Sequence, residues 1–215
     1  ASLPQRVDHP LPRSGLVQIF FFNPRLIFRN DFCLQRNILT TERGAAMNGV
    51  DRVEMEPESG LQQYKRALSR FATGVTVMTT LHSARKPAGM TVNSFSSVSL
   101  DPPLVLWSLA LSSSMSAHFE QGKHFGVNVL ARDQTALSRR FSSKGVDRFA
   151  GVPWSQGESG VPLLADALAT FECVVEGRYP AGDHVILVGR VLRYREAEGE
   201  PLVYHSGAYW RTTLL

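Results

Sequence analysis

Hydrophobic positions recur along this chain at two periods, and the switch between them divides it into elements. Leu61, Tyr64, Leu68 and Phe71 return at helical spacing over a polar face, which predicts an amphipathic helix that stops by Gly74. Beyond it, β-branched and apolar residues gather in short runs, predicting strands over 75–81, 89–100, 104–109 and 125–130, with a polar turn over 82–87. Two longer strands, over 169–179 and 184–195, flank the turn Pro180-Ala181-Gly182-Asp183. Short helices are predicted over 115–121, after a serine-rich loop, and over 133–141 with Asp133 as N-cap. Gly151, Pro153, Gly157, Gly160 and Pro162 mark a loop. Strands this closely spaced, mostly without helices between them, indicate a mainly β, antiparallel barrel rather than a parallel sheet. We find no internal repeat.

The strand over 89–100 is unusual in composition. Alternation puts Thr91, Asn93 and Phe95 on one face and Val92 and Ser94 on the other; then Ser96, Ser97, Val98 and Ser99 blur it, the mark of a bulge or a site. Hydroxyls and an Asn on a strand hydrogen-bond phosphate oxygens or the edge of a heterocycle, with strand amides adding donors. The other reading is a plain Ser/Thr-rich edge strand. Asp101-Pro102-Pro103 forbids helix and removes two backbone donors, so the strand ends there. Ser112, Ser113 and Ser114 precede a helix start, where hydroxyls and free amides together make an anion site; the alternative is an ordinary cap.

Composition sharpens the boundaries. The chain has 215 residues, 43% hydrophobic and 20% charged, which suits one globular domain. Its net charge of +4 is unevenly spread: residues 1–46 hold six Arg and three acids, and the remainder 17 basic against 16 acidic residues. The domain proper is nearly neutral, with no basic cluster interleaved with aromatics, which argues against nucleic acid as a partner. Residues 1–46 form a leader without clear periodicity; its apolar run from Leu16 to Phe22 is too short to cross a bilayer, and we expect Met47 to be the natural start. Residues 47–60 read as a flexible polar arm and 61–215 as the domain. Cys33 and Cys173 offer neither a disulfide framework nor metal-ligand spacing.

Several chemistries lack their signatures. There is no G-x-G-x-x-G after a strand, no Walker lysine loop, no H-E-x-x-H and no G-x-S-x-G. Asp183-His184 resembles part of a triad, but neighbours on a strand point to opposite faces, so Asp183 is not expected to orient His184.

Six segments in order carry a resemblance. Gly89-Met90-Thr91-Val92-Asn93-Ser94-Phe95-Ser96-Ser97-Val98-Ser99, with Leu104-Val105-Leu106-Trp107 behind it, looks like the core motif of the short-chain flavin reductases, the small partners of two-component flavin-dependent monooxygenases. Upstream residues 64–80 resemble that family's first helix and strand; Phe125-Gly126-Val127-Asn128-Val129-Leu130, Asp147-Arg148-Phe149, Gly182-Asp183-His184 and residues 201–209 follow in the family's order. The resemblance implies an antiparallel split β-barrel, usually a cytoplasmic homodimer. It also implies an NAD(P)H:flavin oxidoreductase that takes NADH or NADPH, reduces FMN or FAD, and supplies reduced flavin to a monooxygenase. In it Thr91, Val92, Asn93, Ser94, Ser97 and Val98 lie near the flavin ring and ribityl chain, and Ser112, Ser113 and Ser114 near its phosphate. Arg148 and Phe149 cap the cofactor from a loop or form a local packing cluster; Asn128 is a ligand contact or a structural bridge; Tyr209 walls the pocket or belongs to core or interface. His184 sits where nicotinamide stacks, orienting its amide or making a proton contact to reduced flavin. A non-enzymatic flavin-binding electron carrier of the same fold is the alternative. A pyridoxine-phosphate oxidase of the same fold would bring more Arg and Lys to a second phosphate.

Overall fold

The computed structural model describes residues 57–81 and 86–213; the leader and the first ten residues of the expected arm lie outside them. In chain order the elements are α1 (Pro57–Leu68), β1 (Thr73–Gly74), β2 (Thr76–Leu81), β3 (Pro87–Val92), β4 (Ser96–Leu100), β5 (Pro103–Ala110), α2 (Ser116–Gln121), β6 (His124–Val129) and α3 (Thr135–Ser142). They continue with β7 (Trp154–Gln156), β8 (Pro162–Leu164), β9 (Ala169–Ala181), β10 (His184–Glu196), β11 (Val203–His205) and β12 (Ala208–Trp210).

Seven strands form the main sheet in the order β3-β2-β6-β9-β10-β5-β4, with antiparallel pairings throughout. β3 and β4 are its opposite edges, yet Asn93, Ser94 and Phe95 alone connect them. A flat seven-stranded sheet would hold its edges roughly 29 Å apart, whereas the linker from Val92 to Ser96 reaches about 14 Å at most. The sheet must therefore roll until its edges approach, leaving a barrel split along the β3/β4 seam. The expected antiparallel split barrel is the observed fold. The expected single strand over 89–100 is instead two strands at opposite edges, because the polar linker breaks it; the blurred alternation is a bulge between Ser97 and Ser99.

β2 forms a wall between two cores, and all its residues but the last are buried. Met78 packs on one side with Val105, Trp107, Leu109, Phe119, Phe125, Val127, Cys173 and Leu187. Trp107 is fully buried, with the Phe119 and Phe125 rings edge-on at 4.9 and 6.0 Å. Val75 and Val77 face the other way, onto Leu130, Phe141, Phe149, Leu164 and Leu202. Each such side chain contributes about 1.5–3 kcal/mol by leaving water.

Several boundaries differ from expectation. α1 begins at Pro57, inside the expected arm, and ends at Leu68, well before Gly74, which pairs with Val203 in β1. Its apolar stripe is open to solvent: Leu61, Tyr64 and Leu68 are 49, 54 and 57% exposed, and Phe71, just beyond its end, is 78% exposed. α3 starts at Thr135 with Gln134, not Asp133, at the cap; Gln134 is tied to Ala131 N–H and the Ala165 carbonyl. The loop marked by Gly151 and Pro162 contains the hairpin β7–β8, too short for an alternation signal. Among the described residues no helix is long and apolar enough to cross a membrane.

Candidate functional site

The seam is where this fold leaves hydrogen-bonding capacity unused. β3 pairs only with β2 and β4 only with β5, so the outer edge of each carries free backbone groups among the described residues. Arg148 Nη1 donates to the Gly89 carbonyl at 2.6 Å, which shows that Gly89 faces this open edge. In an antiparallel ladder alternate residues share an edge, so the N–H and C=O of Thr91 face it too.

A cleft of about 230 Å³ opens beside this edge, lined by Val75, Thr91, Val92, Asn93, Ser138 and Tyr209 among others. Thr91 Oγ1 donates to the Ser138 carbonyl at 2.7 Å, and Ser138 Oγ and the Tyr209 hydroxyl share a hydrogen bond of 2.9 Å. The Arg139 guanidinium lies 5.8 Å from the Tyr209 ring centre, fixing that ring as a wall. Ser138 and Arg139 escaped sequence reading. The available signal was a polar Ser138 on the same face of α3 as the buried Phe141, three residues away.

A second cleft, about 260 Å³, lies further along β3, between the serine loop and the loop carrying Arg148; Gly89, Ser114, His118, Arg148 and Phe149 line it. Arg148 donates from Nε and Nη2 to the Ser143 carbonyl, and desolvation lowers its pKa from the ordinary value. Arg140 clamps the same loop through the carbonyls of Asp147, Arg148 and Ala150. Ser113 Oγ accepts from Met115 N–H, capping the turn before α2, and also reaches the Met90 sulfur at 3.8 Å. The serine loop thereby touches β3 although it follows β5.

His184 opens β10 after the two-residue turn Gly182-Asp183, with Gly182 at φ +62° as such a turn requires. Its cross-strand partners are Ala181 and Ala110, and the Asp183 carbonyl accepts from Leu111 N–H at 3.0 Å. The turn is thus pinned to the start of the serine loop. Asp183 Oδ1 lies 2.6 Å from His184 Nδ1, contrary to the expectation that the two point apart. Strand alternation does not apply, because Asp183 belongs to the turn.

The structure therefore brings together Thr91, Val92, Asn93 and Tyr209 at one cleft and Ser114, Arg148 and Phe149 at the next, with Ser113 touching β3 between α2 and the seam. Ser112 lies two residues beyond the end of β5, whose Ala110 is the cross-strand partner of His184. Ser94 is engaged with β5, accepting from Ser108 N–H at 3.0 Å and donating to its carbonyl at 3.3 Å. Ser97 and Val98 line neither cleft: on β4, Ser97 is exposed and Val98 is buried. Phe149 is a core residue, edge-on to Phe141 and Trp154. Asn128 is a structural bridge, fully buried: Nδ2 donates to the Val77 carbonyl and Thr79 Oγ1, and Oδ1 accepts from Leu164 N–H.

Residues 68–213 match the model of the flavin reductase like domain. The chain is 47% identical over 150 residues to the NADH-dependent FMN reductase of Agrobacterium fabrum, covering 70% of this chain and 85% of that protein. It is 40% identical over 157 residues to the reductase component of a flavin-dependent trigonelline monooxygenase from Acinetobacter baylyi, covering 73% of this chain but only 51% of that protein. Among solved structures, the NADH:FAD oxidoreductase of Streptomyces globisporus in complex with NAD and FAD fragments superposes with a TM-score of 0.69 at 38% identity, covering 74% of this chain and 95% of that one. The chain belongs to the flavin reductase-like domain family.

A flavin reductase-like domain has to hold a flavin, and the donor set here fits one. The heterocycle's imide edge carries alternating acceptors and a donor, which matches the free N–H and C=O groups of a strand edge. The serine loop and Arg148 supply hydroxyls and a cation for a phosphate within reach of that edge.

Proposed function

We propose that this protein is an NADH-dependent flavin reductase that passes reduced FMN or FAD to a separate monooxygenase. The observation that carries this reading is the open β3 edge at the seam, which the serine loop reaches through Ser113 and Met90, with the His184 turn tied to the start of that same loop. When bound, the flavin ring supplies the acceptor for the hydride that NADH gives up. The chain's own residues bind and orient: the edge amides of Gly89 and Thr91, with Asn93, hold the ring, and Tyr209 walls it. Ser112, Ser113, Ser114 and Arg148 face the phosphate, and His184 takes the nicotinamide carboxamide. No side chain is asked for strong acid or base chemistry, since stacking and distance dominate such a transfer. Relatives named as NADH-dependent and as monooxygenase reductase components support both the nucleotide and the partner. A cytoplasmic homodimer fits the exposed apolar stripe of α1, which a second copy would cover.

The purified full chain mixed with NADH and excess FMN should lose nicotinamide absorbance at a rate that depends on the flavin. Flavin binding without NADH oxidation would instead identify a passive electron carrier and overturn the enzymatic reading.

A further inference from the structure

We propose that Asp183 is a positioning residue for His184: its carboxylate takes the hydrogen on Nδ1 and so decides that Nε2 is the nitrogen offered to NADH. The inference rests on the flavin reductase reading for its consequence, but its structural basis stands apart from it. An ionised carboxylate only accepts hydrogen bonds, so at an Oδ1–Nδ1 distance of 2.6 Å the hydrogen belongs to Nδ1. The Asp183 carboxyl is in that state, held below the usual carboxylate range chiefly by the hydrogen bond from His184. With Nδ1 committed, a neutral ring presents Nε2 as an acceptor, the chemistry that a carboxamide N–H₂ requires.

The local chain enforces this pairing. Both side chains are short, and they sit at the junction of a two-residue turn with β10. Gly182 adopts the positive φ that sets the turn, and the Asp183 carbonyl is hydrogen-bonded to Leu111 N–H. On either side of His184, β9 and β5 contribute Ala181 and Ala110, and among the described residues Asp183 is the carboxylate within ion-pair distance of the imidazole. Stability does not explain the pair: the Asp183 side chain is 94% exposed, and such pairs contribute little to folding in water. What it supplies is ring orientation and tautomer.

The test compares the full-length wild type with Asp183→Ala and Asp183→Asn. Long-range ¹⁵N–¹H NMR of the imidazoles, without flavin at about pH 8, reads the tautomer directly. We expect His184 to carry its hydrogen on Nδ1 in the wild type and in Asp183→Asn, whose amide oxygen still accepts. In Asp183→Ala it should revert to the Nε2–H form that free histidine favours. In steady state, Asp183→Ala should raise KM for NADH by roughly five- to tenfold, the worth of one hydrogen bond, while kcat changes less than about twofold. Asp183→Asn should restore most of that loss. An Nε2–H ring in the wild type, an unchanged tautomer in Asp183→Ala, or an Asp183→Ala protein with wild-type KM overturns the proposal. A wild type with the Nδ1–H ring but no flavin-dependent NADH oxidation defeats the functional reading and leaves the Asp183–His184 assignment standing.

Discussion

At the residue scale, the cost of removing Asn128 follows from three hydrogen bonds made by a fully buried side chain. Truncation strands the Leu164 N–H and leaves the Val77 carbonyl without its side-chain donor. We expect Asn128→Ala to destabilise the fold by about 2–4 kcal/mol in chemical denaturation, with the surviving folded protein binding flavin as the wild type does. A selective loss of flavin affinity at unchanged stability would return Asn128 to the site. Nothing in the sequence separates this residue from Asn93, since both are amides in strand-like segments. The difference lies in what comes across β6 from Pro162–Leu164, a three-residue strand below the reach of alternation. Thr91 and Tyr209 were legible as candidates because their segments matched a family pattern; Ser138, which joins them, lies in a helix outside that pattern.

At the element scale, β9 holds the loop between β7 and β8 through one carboxylate. Glu172 is 6% exposed and accepts from Ser159 N–H at 2.7 Å and Ser159 Oγ at 2.6 Å. Gly157 lies against it, where any Cβ would meet the carboxylate at 2.6 Å. Burial alone would raise this carboxyl's pKa, but the hydrogen bonds from Ser159 and Glu158 and the charge of Arg193 outweigh it and hold the group below its ordinary 4.5. A depressed folded value means the contribution is complete above 4.5 and fades as pH falls below it. Acid titration of stability should therefore be shallower in Glu172→Gln than in the wild type over that window; identical slopes would remove Glu172 from the acid response. Strands and helices were legible as elements here, and their neighbours were not. α1 shows its amphipathic period plainly, but the period says only that one face is apolar, not that this chain covers it.

At the scale of the whole molecule, light scattering at micromolar concentration should give a mass about twice 23.8 kDa. Tyr64→Glu with Leu68→Glu should shift it toward the single-chain value, because two charges would be placed in the covered stripe. A single-chain mass for the wild type would leave α1 facing solvent and end the homodimer reading. The antiparallel character of the fold was legible in closely spaced strands; the rolling of the sheet was not, because it depends on which strands are edges. Only the pairing order reveals that three residues must join the two ends of the sheet.

That short join turns ligand and fold into one equilibrium. The linker holds the ends of β3 and β4 together, but the β3 amides that face the seam are fixed in place only once β3 has paired with the rest of the sheet, so a molecule they hold recognises the folded barrel. Free flavin then enters the unfolding equilibrium as a mass-action term, about 2.7 kcal/mol at a hundredfold excess over its dissociation constant. Loading and release of the flavin are then, for this chain, also a gain and a loss of resistance to unfolding.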